Sequence, residues 1–327
     1  MSETKKKTFA VLTSGGDAPG MNAAVRSVVR TALHKGHSVY GIFHGYEGLM
    51  EDRMDELQER SVSNIINRGG TILYTARSKE FMTEEGQKKA AAILRSRGID
   101  GLVVIGGDGS FRGAQKLSAL GIPTIGIPGT IDNDIACSEY TIGYDTALNT
   151  IMEAVDKIRD TATSHERLFF IEVMGRDAGF LALNGAIATG AEAAIIPEIS
   201  TEVDQLEELI KNGFRKSKNS SIVLVAESPI TGGAMHLAER VQKEYPQYDV
   251  RVTILGHIQR GGSPTVRDRV NASLMGYHAI DLLDKGIYNR VVAVSGDKIV
   301  DYDVNVALSM HKTIDRDMID IAKAISI

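Results

Sequence analysis

Short apolar runs alternate along this chain with longer segments whose apolar residues recur at helical spacing. Gly101 to Ile105 is apolar at every position, the pattern of a strand covered on both faces. Val25, Val28, Val29 and Ala32 define the buried stripe of a helix. The pattern predicts strands at 9–13, 38–43, 101–105, 124–127, 168–173, 193–196, 221–226, 250–255 and 291–294. It predicts further helices at 88–97, 146–159 and about 269–285, and a solvated surface segment at 52–63.

Strands alternate with helices on both sides of residue 140, and the pattern begins again there. This alternation predicts two α/β domains with parallel sheets. Because ligands of such sheets bind at the carboxyl ends of the strands, the turns that follow the apolar runs are where chemistry is expected.

Two carboxylates lie in the turn that follows the run at 124–127. Asp132 and Asp134 are two residues apart within Pro128 to Asp134, with no basic residue beside them. They either share a cation or differ in pKa and divide acid and base work. The alternative is a turn in which Asp and Asn side chains cap their own backbone.

Two glycine turns follow other predicted strands. Ser14 to Gly20 precedes a helix, and glycines there let backbone N–H groups approach a phosphate. Gly106 to Ser110 adds a carboxylate that could reach a bound Mg²⁺, and it should lie at the same sheet edge as residues 128–134. Tyr46, in another such turn, either stacks on a base or covers the end of the sheet.

Composition narrows the function classes. The 327 residues are 43% hydrophobic and carry a formal net charge of -5, which argues against a general binder of nucleic acid or anionic membranes. The single cysteine, Cys137, excludes an internal disulfide framework and is expected to be a small, partly buried residue. No apolar span has membrane length, so a cytoplasmic protein is expected.

Basic side chains of the second half complete the pattern. Arg167, Arg176, His257 and Arg260 lie in predicted turns, and Arg251 lies in a predicted strand. Glycines and acids of the first half facing a basic pocket would suit phosphoryl transfer to a phosphorylated acceptor, since positioning and charge stabilisation do most of that catalysis.

Five ordered blocks carry a resemblance to the bacterial ATP-dependent 6-phosphofructokinases. The blocks are 12–24, 104–110, 128–134, 172–176 and 256–264, which together span nearly the whole chain. The resemblance implies two Rossmann-like three-layer α/β/α domains with mainly parallel sheets and an active site in the cleft between them. It implies a larger ATP-binding domain at 1–143 plus 256–306, and a smaller fructose 6-phosphate-binding domain at 144–255 plus 307–327.

The resemblance also implies roles for individual residues. The nucleotide would bind Gly16, Arg77, Ser78, Gly107, Asp108, Gly109 and Ser110, with Asp108 on Mg²⁺. Fructose 6-phosphate would bind Thr130, Ile131, Asp132, Arg167, Met174, Gly175, Arg176, Glu227, Arg251, His257, Ile258, Gln259 and Arg260. Asp132 would be the general base for the 1-hydroxyl, with Thr130 and Arg176 as further catalytic residues. Arg167 and Arg251 would act from a neighbouring subunit of a homotetramer.

An effector pocket for ADP and phosphoenolpyruvate is implied as well. Its positions are Arg26, Ser27, Val28, Val29, Arg30, Arg159, Gly190, Ala191, Glu192, Lys216, Lys218, Asn219 and Ser220. Arg26 and Arg30 share one helix face in the pattern, away from the apolar stripe.

Two other functions compete with this one. A pyrophosphate-dependent phosphofructokinase resembles the chain over most of the same blocks, but it tends to carry an acid at the position of Gly109 and a lysine at that of Gly129. Glycine at both favours ATP. A nucleotide-sensing module without catalysis would be expected to lack Asp132, Asp108 or Arg176, and all three are present.

Overall fold

The computed structural model describes residues 6–165, 167–199, 221–230 and 232–325, and the chain divides by contacts into two compact units. The larger unit comprises 1–131, 135–146 and 260–312. The smaller unit comprises 132–134, 147–259 and 313–327. The domain bounds expected from the resemblance stay a prediction.

A mostly parallel sheet forms the centre of the larger unit. Its strands are β1 Thr8–Thr13, β2 Ser38–Ile42, β3 Met54–Glu56, β4 Gly101–Gly106, β5 Thr124–Pro128, β10 Arg290–Ser295 and β11 Lys298–Asp303. They lie in the order β11-β10-β5-β4-β1-β2-β3. The outer pairs β2–β3 and β10–β11 are antiparallel, and the other pairs are parallel.

Helices cover this sheet. They are α1 Met21–His34, α2 Gly45–Met50, α3 Glu84–Ser96, α4 Asp108–Ala119, α8 Val266–Asp284 and α9 Val304–Ser309. β1, β4 and β5 are almost wholly buried, because helices pack on both faces of a doubly wound sheet. The fold class predicted from the apolar runs is therefore confirmed.

The smaller unit is built on a parallel sheet of β6 Leu168–Val173, β7 Ala193–Ile195, β8 Ser221–Ala226 and β9 Val250–Ile254. Their order is β7-β8-β6-β9. The helices are α5 Tyr144–His165, which belongs to this unit from Ala147 onward, α6 Phe180–Thr189, α7 Gly233–Glu244 and α10 Arg316–Ile325. Within the described ranges, none of the helices combines the length and the apolar content needed to cross a bilayer.

Two sequence predictions need correction in detail, and one strand was not predicted. The segment 52–63 is not all solvated surface, since it contains β3 and buries Met54 and Val62. The antiparallel edge strand β11 was not predicted. α3 begins at Glu84 rather than residue 88, because the Thr83 hydroxyl accepts a hydrogen bond from the Gly86 N–H at 3.0 Å and caps the helix.

Candidate active site

Three turns of the larger unit meet at the carboxyl edge of its central strands. The Ser14 N–H donates to the Ile105 carbonyl at 2.9 Å, and the Gly129 N–H donates to the Gly106 carbonyl at 2.9 Å. A Cβ built on Gly107 would lie 4.0 Å from the Thr130 Cβ. Since β1 and β4 neighbour each other where the strand order reverses, these turns lie at the switch point, where doubly wound sheets bind ligands. The prediction that Gly106 to Ser110 shares an edge with the turn after β5 is confirmed for residues up to 131.

Two glycines of this edge lie where a side chain would meet other atoms, and at Gly106 the atom is backbone, so glycine is required there. A Cβ on Gly106 would collide with the Ser14 carbonyl oxygen and lie 2.5 Å from the Ser110 Oγ. A Cβ on Gly16 would lie 2.5 Å from Nη1 of Arg260, which donates to the Asp17 carbonyl at 3.2 Å. The Arg260 guanidinium therefore lies directly over the first glycine turn.

Two helices begin at this edge. α1 follows Gly20 and α4 follows Gly107, and no side chain of the described residues caps either N-terminus. Uncapped N–H groups and the helix dipole both favour a bound anion. Asp108 is the first residue of α4, and its Oδ2 accepts from Nε of Arg112 at 2.9 Å.

Arg77 and Ser78 occupy a different loop of the same unit. Arg77 is exposed, and the Ser78 Oγ accepts from the Phe81 N–H at 3.2 Å. Tyr46 is buried against the Phe81 ring, with ring centroids 4.0 Å apart, and its hydroxyl donates to the Ser110 carbonyl at 2.6 Å. Burial raises the pKa of this hydroxyl. Of the two readings of Tyr46, the structure favours the one in which it covers the end of the sheet.

Hydrogen bonds from residues that follow in the chain hold the backbone at Thr130. The Thr141 hydroxyl donates to the Thr130 carbonyl at 2.6 Å, and Gly129 bridges to Ile142. Asp268, a buried residue of α8, accepts from the Gly143 N–H at 2.9 Å. It also accepts from the Thr146 N–H at 2.9 Å and the Thr146 hydroxyl at 2.5 Å.

Asp268 carries an unusual proton affinity for a carboxyl group. Burial raises its pKa to about 6, although the hydrogen bonds from Thr146 and Gly143 oppose that shift. Sequence reasoning missed this residue, because an aspartate inside an amphipathic helix pattern gives no sign that it is buried.

Asp132, which by its contacts belongs to the smaller unit, is only 8% exposed. The next residue, Asn133, is also buried and has a φ of 53°. Asparagine tolerates this left-handed conformation better than most residues. The turn thus holds the Asp132 carboxylate in a largely desolvated position.

A cavity of about 220 Å³ in the smaller unit brings together three predicted substrate residues, Met174, Glu227 and His257. Gln259 is fully buried and ties two of the cavity-forming segments together. Its Oε1 accepts from the Met174 N–H at 3.1 Å, and its Nε2 donates to the Gly256 carbonyl at 2.9 Å. The adjacent Ile258 is exposed.

Backbone strain marks the turn after β6. Gly175 has a φ of 141°, and a Cβ there would collide with the Ala178 carbonyl oxygen. Arg176 has a φ of 59° and an exposed side chain. Residues other than glycine held at positive φ cost roughly 1–3 kcal/mol and concentrate at functional sites.

Arg167 and Arg251 both form ion pairs with Asp249, a residue that the sequence pattern did not single out. The Arg167 Nε donates to Oδ2 of Asp249 at 2.7 Å, and Nη1 of Arg251 contacts the other oxygen, Oδ1. Arg251 also donates to the Val250 carbonyl at 3.0 Å. One carboxylate therefore holds two guanidinium groups next to each other.

The predicted effector residues fall into two described groups. In α1, Ser27, Val28 and Val29 point into the core, which leaves Arg26 and Arg30 at the surface, and neither forms an ion pair among the described residues. In the smaller unit, Nη2 of Arg159 donates to the Thr189 carbonyl at 2.6 Å, next to Gly190 at the end of α6.

Two of the other effector positions lie close to the Gly190 turn, and the rest are outside the described residues. Ala191 is buried, and Glu192 accepts from the Ile222 N–H at 2.5 Å. The remaining predicted positions, Lys216, Lys218, Asn219 and Ser220, lie outside the described residues.

The sequence reasoning also passed over Tyr74. This residue has a φ of 57°, is 58% exposed and stacks on His44, itself at a φ of 61°, with ring centroids 5.0 Å apart. Its carbonyl accepts from the Thr13 hydroxyl at 2.8 Å, which places it beside the first glycine turn. A bulky residue at positive φ is detectable only from coordinates.

Comparison with known proteins gives a consistent result. A family model described as Phosphofructokinase matches residues 8–283. The chain is 63% identical over 322 residues to ATP-dependent 6-phosphofructokinase 2 of Bacteroides thetaiotaomicron, covering 98% of this chain and 99% of that protein. It is 56% identical over 321 residues to ATP-dependent 6-phosphofructokinase of Brevibacillus brevis, covering 98% and 100%.

Solved structures agree. Phosphofructokinase from Saccharomyces cerevisiae superposes with a TM-score of 0.87 at 35% identity over 98% of this chain, which spans about half, 48%, of the yeast chain. Pyrophosphate-dependent phosphofructokinase from Marinobacter aquaeolei gives a TM-score of 0.83 at 19% identity, covering 98% of this chain and 91% of that one. The latter similarity shows a shared fold only.

Proposed function

Since the chain belongs to the phosphofructokinase family, we propose that it transfers the γ-phosphoryl group of ATP to the 1-hydroxyl of fructose 6-phosphate, giving fructose 1,6-bisphosphate and ADP. This is the glycolytic reaction of an ATP-dependent 6-phosphofructokinase. Relatives that carry this name cover nearly the full chain at 63% and 56% identity. The pyrophosphate-dependent alternative is not favoured by them.

The observation that carries the choice of donor is the open space at Gly109. A Cβ built there would meet no atom of the rest of the chain within 4 Å, so the Gly109 position faces open space. A nucleotide α-phosphate can occupy that space, whereas an acidic side chain would crowd and repel it. At Gly129, by contrast, a Cβ would lie 3.2 Å from both the Ile105 Cγ2 and the Met21 Cε, so a lysine there would require the core to shift.

Asp108 suits a magnesium ion that arrives with the nucleotide. The described residues contain no cluster of three His, Cys, Asp or Glu side chains that could hold a metal alone. Mg²⁺ is commonly held by one or two carboxylates together with substrate phosphates, and Asp108 offers a half-exposed carboxylate at the start of α4. When bound, the metal would neutralise charge on the transferring phosphates. Gly16, Arg77, Ser78, Gly107, Gly109 and Ser110 would bind the remaining parts of ATP.

Residues of the smaller unit supply the acceptor chemistry in this proposal. Asp132, which is only 8% exposed, takes the proton from the 1-hydroxyl. Arg176, exposed after β6, stabilises the transferring group. Met174, Gly175, Glu227, His257, Ile258 and Gln259 bind the sugar phosphate, with the buried Gln259 acting by orienting the Met174 and Gly256 backbone.

In the larger unit, Thr130 and Ile131 contact the substrate at the end of β5, and Arg260 adds positive charge beside Gly16. We further propose that Arg167 and Arg251 bind the sugar phosphate of a neighbouring subunit in a homotetramer. ADP and phosphoenolpyruvate would act at Arg26, Arg30, Arg159, Gly190 to Glu192 and the basic residues near 216–220. The proposed setting is the cytoplasm.

The decisive experiment measures fructose 1,6-bisphosphate formation by wild type, Asp132→Asn and Asp134→Asn, each with Mg²⁺ and either ATP or pyrophosphate. Loss of the base should lower kcat by about 10²- to 10⁴-fold while leaving substrate binding largely intact. Asp134 is exposed and two residues away, so its variant shows whether the second carboxylate of this turn shares the work of Asp132. Activity with pyrophosphate would overturn the donor assignment. A wild-type rate in Asp132→Asn would remove that residue from its role.

A further inference from the structure

Arg112 forms an ion pair with the proposed metal ligand Asp108. Its Nε donates to Oδ2 of Asp108 at 2.9 Å, one turn along α4. The Arg112 and Asp108 side chains are 61% and 47% exposed, so both are accessible to a ligand. The pair therefore lies at the surface where the proposed nucleotide would bind.

The two charges have opposite consequences for a polyphosphate. A bare carboxylate at the start of α4 would repel the negative charges of ATP, and the guanidinium of Arg112 cancels that repulsion. A divalent cation would cancel it as well, because the carboxylate would then be bound to the metal. Arg112 and Mg²⁺ thus neutralise the same group in turn.

We propose that Arg112 is a positioning residue whose guanidinium group binds the Asp108 carboxylate when Mg²⁺ is absent and leaves it when Mg²⁺ binds. This proposal rests on the proposed function. Without metal, Arg112 neutralises Asp108 and permits ATP to bind. With metal, it releases the carboxylate to the cation. Arg112 therefore lowers the dependence of nucleotide binding on Mg²⁺.

An ordinary structural role makes a different prediction. Exposed Asp–Arg pairs four residues apart also support isolated helix turns by a small amount. If that were the only role, removing Arg112 would change the affinities for ATP and Mg·ATP by the same factor. The ratio of the two dissociation constants separates the alternatives.

The test is competition of ATP against a fluorescent ATP analogue, once with excess EDTA and once with saturating MgCl₂, without fructose 6-phosphate. In Arg112→Gln the dissociation constant of metal-free ATP should rise by on the order of fivefold relative to that of Mg·ATP, the scale of an exposed ion pair. Arg112→Lys, which keeps the charge, should restore most of the wild-type ratio.

The matched control is Arg97→Gln. Arg97 also pairs with an aspartate at the surface of the larger unit, since its Nε lies 2.9 Å from Oδ1 of Asp52. Its variant should leave the ratio unchanged. An unchanged ratio in Arg112→Gln, or an equal change in the control, would overturn the inference while leaving the proposed function intact. If wild type binds neither form of ATP, the proposed function itself fails.

Discussion

The two units present ligand candidates of different character. In the larger unit the candidate nucleotide residues are mostly glycine and serine, and close packing of the adjacent Gly106 against the Ser14 backbone fixes the turn that carries four of them. In the smaller unit the candidates are mostly long or charged side chains, and charge holds them, as Asp249 holds Arg167 and Arg251. The difference matches the proposed ligands, because a polyphosphate can lie against backbone N–H groups whereas a sugar phosphate needs side chains that reach it. Substitutions in the larger unit should therefore act mainly by steric overlap, and substitutions in the smaller unit mainly by changing charge.

The largest effect is expected from Gly106→Ala. The new Cβ would overlap the Ser14 carbonyl oxygen, and backbone cannot yield as a flexible side chain can. We expect a loss of about 3 kcal/mol in the free energy of unfolding, at the upper end of the cost of overpacking, measured by urea denaturation.

Gly109→Ala is the control for that variant. Its Cβ meets no protein atom within 4 Å and lies within α4, where alanine is favoured, so stability should be kept or slightly raised. ATP affinity should nevertheless fall. Equal stability losses in both variants would contradict a packing-determined edge.

Asp268 tests how a buried carboxyl group affects the stability of the larger unit. The pKa of the Asp268 carboxyl group is about 6 in the folded protein, against 3.8 for the free group. The folded state therefore binds more protons in this window, and its stability falls as pH rises from 4 to 6, by about 3 kcal/mol from this group. Asp268→Asn should remove that fall, as measured by urea denaturation at several pH values.

Asp281→Asn provides the opposite sign for comparison. The bond from Lys285 is the largest influence on Asp281 and, with Lys35, it lowers the pKa of this carboxyl. Asp281 therefore contributes stability at neutral pH that is lost as pH falls through its lowered pKa. If both variants changed the pH profile in the same direction, the burial argument for Asp268 would be wrong.

A smaller effect is expected from Arg251→Gln in the smaller unit. A charge-assisted hydrogen bond to a phosphate is worth about 1.5–3 kcal/mol, so KM for fructose 6-phosphate should rise at least about 10-fold with little change in thermal stability. Arg240→Gln is the control, since Arg240 pairs with Glu244 one turn along α7 and has no place in the proposed substrate site. An unchanged KM would exclude Arg251 from the substrate site.

The smallest expected effect is that of salt on the wild type. Because exposed guanidinium groups bind the sugar phosphate in this proposal, raising NaCl from 0.05 to about 0.5 M should weaken fructose 6-phosphate binding severalfold. Gly109→Ala should show the same salt dependence, whereas Arg251→Gln should show a shallower one. Parallel curves for all three proteins would contradict a charge-determined acceptor site.

The central strands and the glycine turns were predictable from sequence. β4 and β8 are buried at every position, and a continuous apolar run is the direct trace of a strand covered on both faces. β11 could not be predicted in this way, since Lys298 to Asp303 is a half-exposed edge strand with polar residues. Its pairing with β10 depends on a hairpin that hydrophobic periodicity does not encode.

Candidate chemistry followed the same division. Residue type and spacing marked the glycine turns, the carboxylates Asp108, Asp132 and Asp134 and the basic residues of the second half as candidates, because those features are written into short segments, and the family resemblance assigned their roles. Whether a charged residue is free, paired or buried depends on residues distant in the chain. Burial in the folded protein raises the pKa of Asp268, against the hydrogen bonds that it accepts from Gly143 and Thr146. Asp249 pairs with Arg167 across a sequence separation of 82 residues.

The sequence by itself thus determined the α/β class, the strand ends where chemistry lies and the resemblance to phosphofructokinases. Only the tertiary structure decided which counter-ion each charge has, where a missing Cβ leaves open space and which buried carboxyl group has a raised pKa. The physical reason is that periodicity and turn chemistry are local properties of the chain. Desolvation, steric exclusion and Coulomb interactions depend instead on which atoms folding brings together.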